Sequence, residues 1–159
     1  MAILNKDKEL EKVLLGSKVV AIVELSSNPT KDSYIVAKFL SENGFRIIPV
    51  NPNAKEVLAV RAYPSLLNIP EYNAKNIDIV NIFRPSEEML DIAKEVCELK
   101  RRYGRPNCMW MQIGISSLEA ANVANEYGID TIMNRCIMME CRRLCPGFSN
   151  DLKQFFPKM

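Results

Sequence analysis

The clearest chemical signature is a loop rich in small polar side chains: Ser26, Ser27, Asn28, Lys31 and Ser33. It follows an apolar run, Lys18–Val23, and leads directly into a helical pattern. A helix N-terminus offers unpaired N–H groups and a positive dipole end, which favour a bound anion such as pyrophosphate. The loop has no glycine, so it is not the G-x-G-x-x-G fingerprint. An ordinary polar loop with a helix cap is the alternative interpretation.

A second polar segment follows the next apolar run and consists of Val50, Asn51, Pro52 and Asn53. A domain that binds NAD usually carries Asp or Glu at this point, to accept hydrogen bonds from the ribose 2′-hydroxyl. No acid is present, so an NAD(P)-binding oxidoreductase is only a weak alternative. Lys31 and Lys55 are close enough in sequence to serve a ligand with an additional phosphate.

Cysteines form the third candidate, in the spacing Cys136-x4-Cys141-x3-Cys145, with Cys108 as a further thiol. No C-x2-C pair is present, so we expect no metal; Cys141 and Cys145 lie one helical turn apart and can face the core. Cys136 is the candidate reactive thiol, because it leaves the last strand at the edge where the polar loop lies. In the competing interpretation Cys136 is inert and Cys141 and Cys145 are exposed on the last helix.

Composition excludes several classes of protein. The chain of 159 residues has no histidine, which removes Ser-His-Asp and Cys-His catalysis, phosphohistidine intermediates and His-based metal sites. The net charge of +2 and the scattered basic residues argue against nucleic acid or membrane partners. The cluster Lys100, Arg101, Arg102 and Arg105 fits a helix end. Without an apparent signal peptide, we expect a cytoplasmic protein with free thiols.

The elements that must position these residues follow a repeated order: a helical stretch, a glycine and an apolar run. Gly16, Gly44, Gly104 and Gly128 are each predicted to close a helix in the left-handed conformation. Apolar runs that alternate with helices indicate a parallel sheet covered on both faces. We therefore predict an α/β fold, Rossmann-like and doubly wound, with a mainly parallel five-stranded sheet.

One domain is predicted over residues 1–159, with a core at about 17–140 and flanking helices at 7–15 and about 138–145. A helix over Ser33–Asn43 is expected to be capped by Asp32 or Ser33. The stretch Pro52–Asn76 is predicted to be connection, with at most a short strand near residues 57–59. In an open α/β sheet the ligand binds beyond the carboxyl ends of the strands, where the polar segments lie.

Several motifs of the chain resemble those of a known family. The carrying motifs are Val23-x-Leu-Ser26-x-Asn-Pro29, Ser33-Tyr34-x-Val36-Ala37, Gly44-Phe45-Arg46-Ile47-Ile48-Pro49-Val50-Asn51-Pro52, Asp78-Ile79-Val80-x-Ile-Phe83-Arg84 and Trp110-Met111-Gln112-x-Gly114-Ile115. In order and spacing they are similar to the small CoA-binding domain proteins, which are related to the N-terminal domain of the succinyl-CoA synthetase α subunit. The resemblance spans about residues 17–140.

The resemblance implies coenzyme A (CoA) or acyl-CoA as the ligand. Ser26–Ser33 would hold the phosphates, Val50–Asn53 would border the adenine, and Phe83, Arg84 and Gln112–Ile115 with Gly114 would line the pantetheine path. The synthetases need a phosphohistidine from another domain, so the resemblance implies a binding module without complete catalytic machinery. An enzyme or redox protein that uses Cys136 is the alternative, and a partner protein or homo-oligomer is left open.

One position departs from the family pattern. Family members usually have glycine where this chain has Glu24, at the end of the first strand. A carboxylate at this position is expected to repel pyrophosphate unless it turns toward a basic partner.

Overall fold

The computed structural model describes residues 1–145, and the last part of the predicted domain, residues 146–159, lies outside the described residues. The helices and strands run in the order α1 Asp7–Leu15, β1 Val19–Val23, α2 Asp32–Glu42, β2 Arg46–Val50, β3 Glu56–Val57, β4 Val60–Arg61, α3 Glu71–Ala74, β5 Ile79–Ile82, α4 Met89–Tyr103, β6 Cys108–Met111, α5 Leu118–Glu126, β7 Asp130–Ile132 and α6 Ile137–Leu144.

The main sheet has five strands in the order β2-β1-β5-β6-β7, and every neighbouring pair is parallel. Short strands β3 and β4 form a separate antiparallel hairpin. The chain first winds from β1 outward to β2 and then crosses to β5 on the other side of β1, so the winding direction reverses between β1 and β5. Crevices for ligands open at such a reversal, at the carboxyl ends of the two strands.

Helices cover both faces of the sheet, which confirms the predicted doubly wound fold. On one face, α1, α2 and α6 pack over side chains such as Ile22, Ile79 and Trp110. On the other face, α3, α4 and α5 pack over alternate residues such as Ala21 and Val80. This alternation follows from the two-residue period of a strand. Trp110 and Met111 are fully buried, as expected of core residues.

Three local predictions are wrong. Helix α2 begins at Asp32 after Lys31, and no side chain caps it; the Ser33 hydroxyl instead accepts a hydrogen bond from the Ser26 N–H. Gly16 has a φ of −87°, since helix α1 ends in a right-handed conformation there, whereas Gly44, Gly104 and Gly128 are left-handed as predicted.

The third error concerns the stretch Pro52–Asn76, predicted to be connection with at most a short strand near residues 57–59, which contains the hairpin β3–β4 and the helix α3. Leu58 and Ala59 have φ angles of 52° and 61° and form the turn between β3 and β4. The sequence shows a β-like run here, but the backbone reverses within it. No helix within residues 1–145 combines the length and apolar character needed to cross a bilayer.

Candidate functional site

The polar loop after β1 is shaped by its own side chains. Ser33 Oγ, on the buried side of α2, accepts a hydrogen bond of 3.0 Å from the Ser26 N–H, and Ser26 Oγ accepts one of 3.0 Å from the Asn28 N–H. Asn28 Oδ1 in turn accepts hydrogen bonds from the N–H and the hydroxyl of Thr30. These bonds hold the loop in one conformation and leave the N–H groups of the first turn of α2 at its end.

Two residues of this loop are accessible to a ligand. Ser27 and Lys31 are exposed, and Lys31 stands immediately before α2. An ammonium group beside a helix N-terminus adds to the positive potential of the helix dipole. This end of the loop can therefore hold an anionic group.

Asn51 ties the second polar segment to the first. Its Nδ2 donates to the carbonyl of Leu25 at 2.9 Å, and its Oδ1 accepts from the Asn53 N–H at 2.8 Å. The predicted residues of both segments therefore lie together at the carboxyl ends of β1 and β2. Pro52, Asn53 and Lys55 remain exposed beside this junction.

Glu24 directly follows β1 and has a left-handed conformation, with a φ of 67°. Its carboxylate accepts a hydrogen bond of 2.7 Å from Arg84, which also donates to Glu88 at 2.6 Å. The hydrogen bonds to Glu88 and to Glu24 raise the pKa of Arg84 above its ordinary value, against the opposing effect of partial burial. Glu24 has thus turned toward a basic partner, and the three side chains together carry one net negative charge.

A small pocket of about 170 Å³ lies beside this ion-pair cluster. Val50, Pro52 and Ser65 line it together with Glu24 and Arg84. The predicted adenine-side residues Val50 and Pro52 therefore meet Arg84 here, on the β2 side of the crevice.

A groove of about 500 Å³ opens on the other side of the crevice, between the start of α2 and the start of α6. Phe83, Gln112 and Cys136, which follow β5, β6 and β7, lie along it. Its rim carries three exposed apolar side chains, Ile35, Ile113 and Met139. This volume is within the range of small-molecule sites, about 300–1,000 Å³.

Two residues predicted for the pantetheine path, Arg84 and Gly114, do not line this groove: Arg84 turns to Glu24 and lines the small pocket instead. Gly114 donates from its N–H to Asn134 Oδ1 at 2.7 Å, and its φ of 84° is one that glycine adopts without strain. Gly114 therefore shapes the turn between the groove residues Ile113 and Ile115 and does not line the groove.

The cysteines differ in their access to the groove. All five are buried and none forms a disulfide bond among residues 1–145, but only Cys136 among them lies along the groove. Burial raises the pKa of Cys141 and of Cys145 above the ordinary thiol value, so both resist forming the reactive thiolate. The expected exposure of these two thiols is wrong, because Cys141 on α6 and Cys145 directly after it are buried in the core; that Cys136 is inert stays an untested alternative. Arg135, the residue before Cys136, forms an ion pair with Glu140 at 3.4 Å.

A second cavity, of about 530 Å³, lies at the opposite edge of the sheet, at the amino ends of the strands. Two of its charged groups are already paired with each other: Asp78 accepts from the Lys18 and Val19 N–H groups and pairs with Arg105 at 2.7 Å. These contacts hold the start of β1 in place, which is a structural role. We therefore place the functional site at the carboxyl edge of the sheet. Within residues 1–145 no three His, Cys, Asp or Glu side chains are arranged to hold a metal ion.

Asn81 and the groove side chains supplied by α2 and α6 were not predicted from the sequence. Asn81 is fully buried on β5 and donates from Nδ2 to Gln112 Oε1 at 2.8 Å. A polar residue within the apolar run Ile77–Phe83 was the available signal. The contribution of α6 had no comparable signal, because it depends on how that helix packs.

Comparisons with known proteins show the family to which the chain belongs. A family model described as a CoA binding domain matches residues 18–142. The protein YneT of Bacillus subtilis is 38% identical over 129 residues, covering 81% of this chain and 89% of that protein. An ADP-forming acetate–CoA ligase of Archaeoglobus fulgidus is 30% identical over 132 residues, covering 79% of this chain but only 18% of the ligase.

The fold also matches solved structures. A Thermus thermophilus protein superposes with a TM-score of 0.78 at 32% identity, over 88% of this chain and 99% of that one. Because the family model covers most of the chain and YneT covers a similar span, the chain belongs to the CoA binding domain family.

Proposed function

We propose that this chain is a binding module for CoA or acyl-CoA, without complete catalytic machinery of its own. The observation that carries the proposal is the continuity of the crevice. A preshaped polar loop at the N-terminus of α2 adjoins a groove of about 500 Å³ at the point where the sheet reverses its winding. A long ligand with a phosphate group at its middle and a neutral arm fits this layout.

The ligand is proposed to lie across the carboxyl edge of the sheet. Its pyrophosphate binds at Ser26–Ser33 and the first turn of α2, and its adenine borders Val50–Asn53. Lys31 and Lys55 serve the additional phosphate on the ribose, since both are exposed on this side. The pantetheine arm enters the groove past Phe83 and Gln112, and its thiol end approaches Cys136.

The residue content of the chain supports a binding role. It has no histidine, so it contains no residue for a phosphohistidine step. The ligase of Archaeoglobus fulgidus is about five times the length of the matched region, so the full ligase reaction involves much that this chain does not match.

A thermal-shift panel tests the proposal. A ligand that binds only the native state raises the free energy of unfolding by about 2.7 kcal/mol at a hundredfold excess over its dissociation constant, and the melting temperature rises with it. We expect CoA and acetyl-CoA to raise the Tm, and NAD and ATP to raise it less. A shift with NAD and none with CoA would overturn the proposal.

A second candidate function is thiol exchange, favoured by the position of Cys136 along the groove. Here the Cys136 thiolate attacks one sulfur of CoA disulfide, the S–S bond breaks, one CoA leaves as thiolate, and the other stays as a mixed disulfide. CoA disulfide is the oxidant in this step.

A further inference from the structure

We infer that the groove selects CoA thioesters of neutral, apolar acyl groups, and that Gln112 donates a hydrogen bond to the thioester carbonyl. This inference rests on the proposed function, because it concerns the far end of the same ligand. Two independent features support it: the orientation of one buried amide and the character of the groove walls.

The orientation of Gln112 is fixed by two donors. Its Oε1 accepts from Asn81 Nδ2 at 2.8 Å and from the Ile137 N–H at 3.0 Å, at the start of α6. The Ile137 N–H can only donate, so the oxygen must be the atom that faces it. The Nε2 amino group of Gln112 has no hydrogen-bond partner among residues 1–145 and is not fully enclosed.

Gln112 lies along the groove, so this amino group is the donor that its side chain can offer there. A donor with no protein partner in a largely buried residue is costly to leave unpaired. A carbonyl oxygen of a bound ligand would satisfy it. Asn81 acts as a positioning residue, since it is fully buried and holds the Gln112 oxygen away from the groove.

The groove walls define what lies beyond that carbonyl. Among the described residues that line it, Asp32 is the one charged side chain, and it is acidic. The rim residues Ile35, Ile113 and Met139 are 45%, 59% and 54% exposed, respectively. An apolar chain would cover this surface, whereas a terminal carboxylate would meet no cation and one like charge.

Titration calorimetry with four ligands tests the inference: CoA, hexanoyl-CoA, the thioether S-hexyl-CoA and succinyl-CoA. We expect hexanoyl-CoA to bind at least about tenfold tighter than CoA, because each fully buried methylene adds about fourfold in affinity. S-hexyl-CoA lacks the carbonyl and should bind about fivefold more weakly than hexanoyl-CoA, the value of one ordinary hydrogen bond. Succinyl-CoA should bind no tighter than CoA.

Two variants separate the contribution of the Gln112 hydrogen bond from that of the apolar rim. Gln112→Met removes the donor at similar length and should make hexanoyl-CoA and S-hexyl-CoA bind equally. Met139→Glu places a charge on the rim and should remove the advantage of both six-carbon ligands over CoA. Leu118→Glu is the matched control, since Leu118 is equally exposed on α5 but does not line the groove.

The outcomes are distinguishable. If CoA itself does not bind, the proposed function fails. If CoA binds and hexanoyl-CoA is no tighter, or succinyl-CoA is tighter, the acyl selectivity is wrong. If hexanoyl-CoA and S-hexyl-CoA bind the wild-type protein equally, the assigned role of Gln112 is wrong whether or not Gln112→Met folds.

Discussion

Replacing Glu24 by glycine is expected to tighten CoA binding and to leave the fold intact. Glu24 and Glu88 share Arg84, so this cluster has a net charge of −1 beside the proposed pyrophosphate site. A carboxylate ~6 Å from a phosphate repels it by about 3 kcal/mol at an effective dielectric near 20. Arg84, 2.7 Å from Glu24, cancels much of this repulsion, and the carboxylate is one-third exposed to screening solvent. About 1 kcal/mol remains, or about fivefold in affinity.

The variant Glu24→Ala separates charge from backbone conformation. Both substitutions remove the carboxylate, so both should tighten CoA by about fivefold in titration calorimetry. They differ at the φ of 67°, where a Cβ costs about 1–2 kcal/mol and glycine does not. Glycine also lowers the free energy of unfolding by about 0.4–1 kcal/mol relative to alanine, because it raises the entropy of the unfolded chain.

The expected net result is that Glu24→Gly is more stable than Glu24→Ala by about 0.5–1 kcal/mol, or about 1–4 °C in Tm. Equal CoA binding by both variants would mean that the carboxylate points away from the ligand, and weaker binding would mean that it makes a useful contact; either result would refute the electrostatic reasoning. Equal Tm values would refute the assigned backbone cost.

Three further predictions address other parts of the site. Incubation with CoA disulfide followed by digestion and mass spectrometry should place the adduct on Cys136 and find none in Cys136→Ser; an adduct chiefly on Cys141 or Cys145 would contradict this. Ser33→Ala should lower the free energy of unfolding by about 1 kcal/mol and weaken CoA binding, since Ser26 loses its acceptor, while the exposed Ser41→Ala on the same helix should do neither. Burial, and to a smaller extent the nearby Asp91, raises the pKa of Glu95. The folded protein therefore binds the proton of the Glu95 carboxyl more tightly than the unfolded chain does, so the ionised carboxylate lowers stability at neutral pH. Glu95→Gln should therefore raise the Tm at pH 7, with the gain fading as the pH falls toward and below the unfolded value of 4.5; a gain that is the same at pH 4 would exclude this cause.

The sheet could be predicted from sequence because each central strand is an apolar run, and such runs indicate strands buried on both faces. The apolar run Lys18–Val23 forms β1, which begins one residue later than that run. Local hydrogen bonding was harder to predict. Ser33 has the side chain of a helix cap, but its hydroxyl bonds to Ser26 across the loop, a contact that depends on the folded loop.

The site was predictable in its segments but not in its arrangement. The rule that ligands bind at the carboxyl edge brought the loop after β1 and the segment after β2 together, and Asn51 joins them in the structure. To predict the groove, the position of α6 had to be known, and the start of this helix is held by the hydrogen bond from the Ile137 N–H to Gln112. The left-handed conformation of Glu24 has no signal in a single sequence, because a glutamate gives no indication of a positive φ.

The most direct test of the account is a ¹H–¹⁵N NMR titration of the protein with CoA. We expect chemical shifts to change at residues 24–33, 50–55, 83–84 and 112–115, all at the carboxyl edge of the sheet. Changes centred instead on Asp78, Asn107 and Asp130, which line the cavity at the opposite edge, or no changes at saturating CoA, would contradict it.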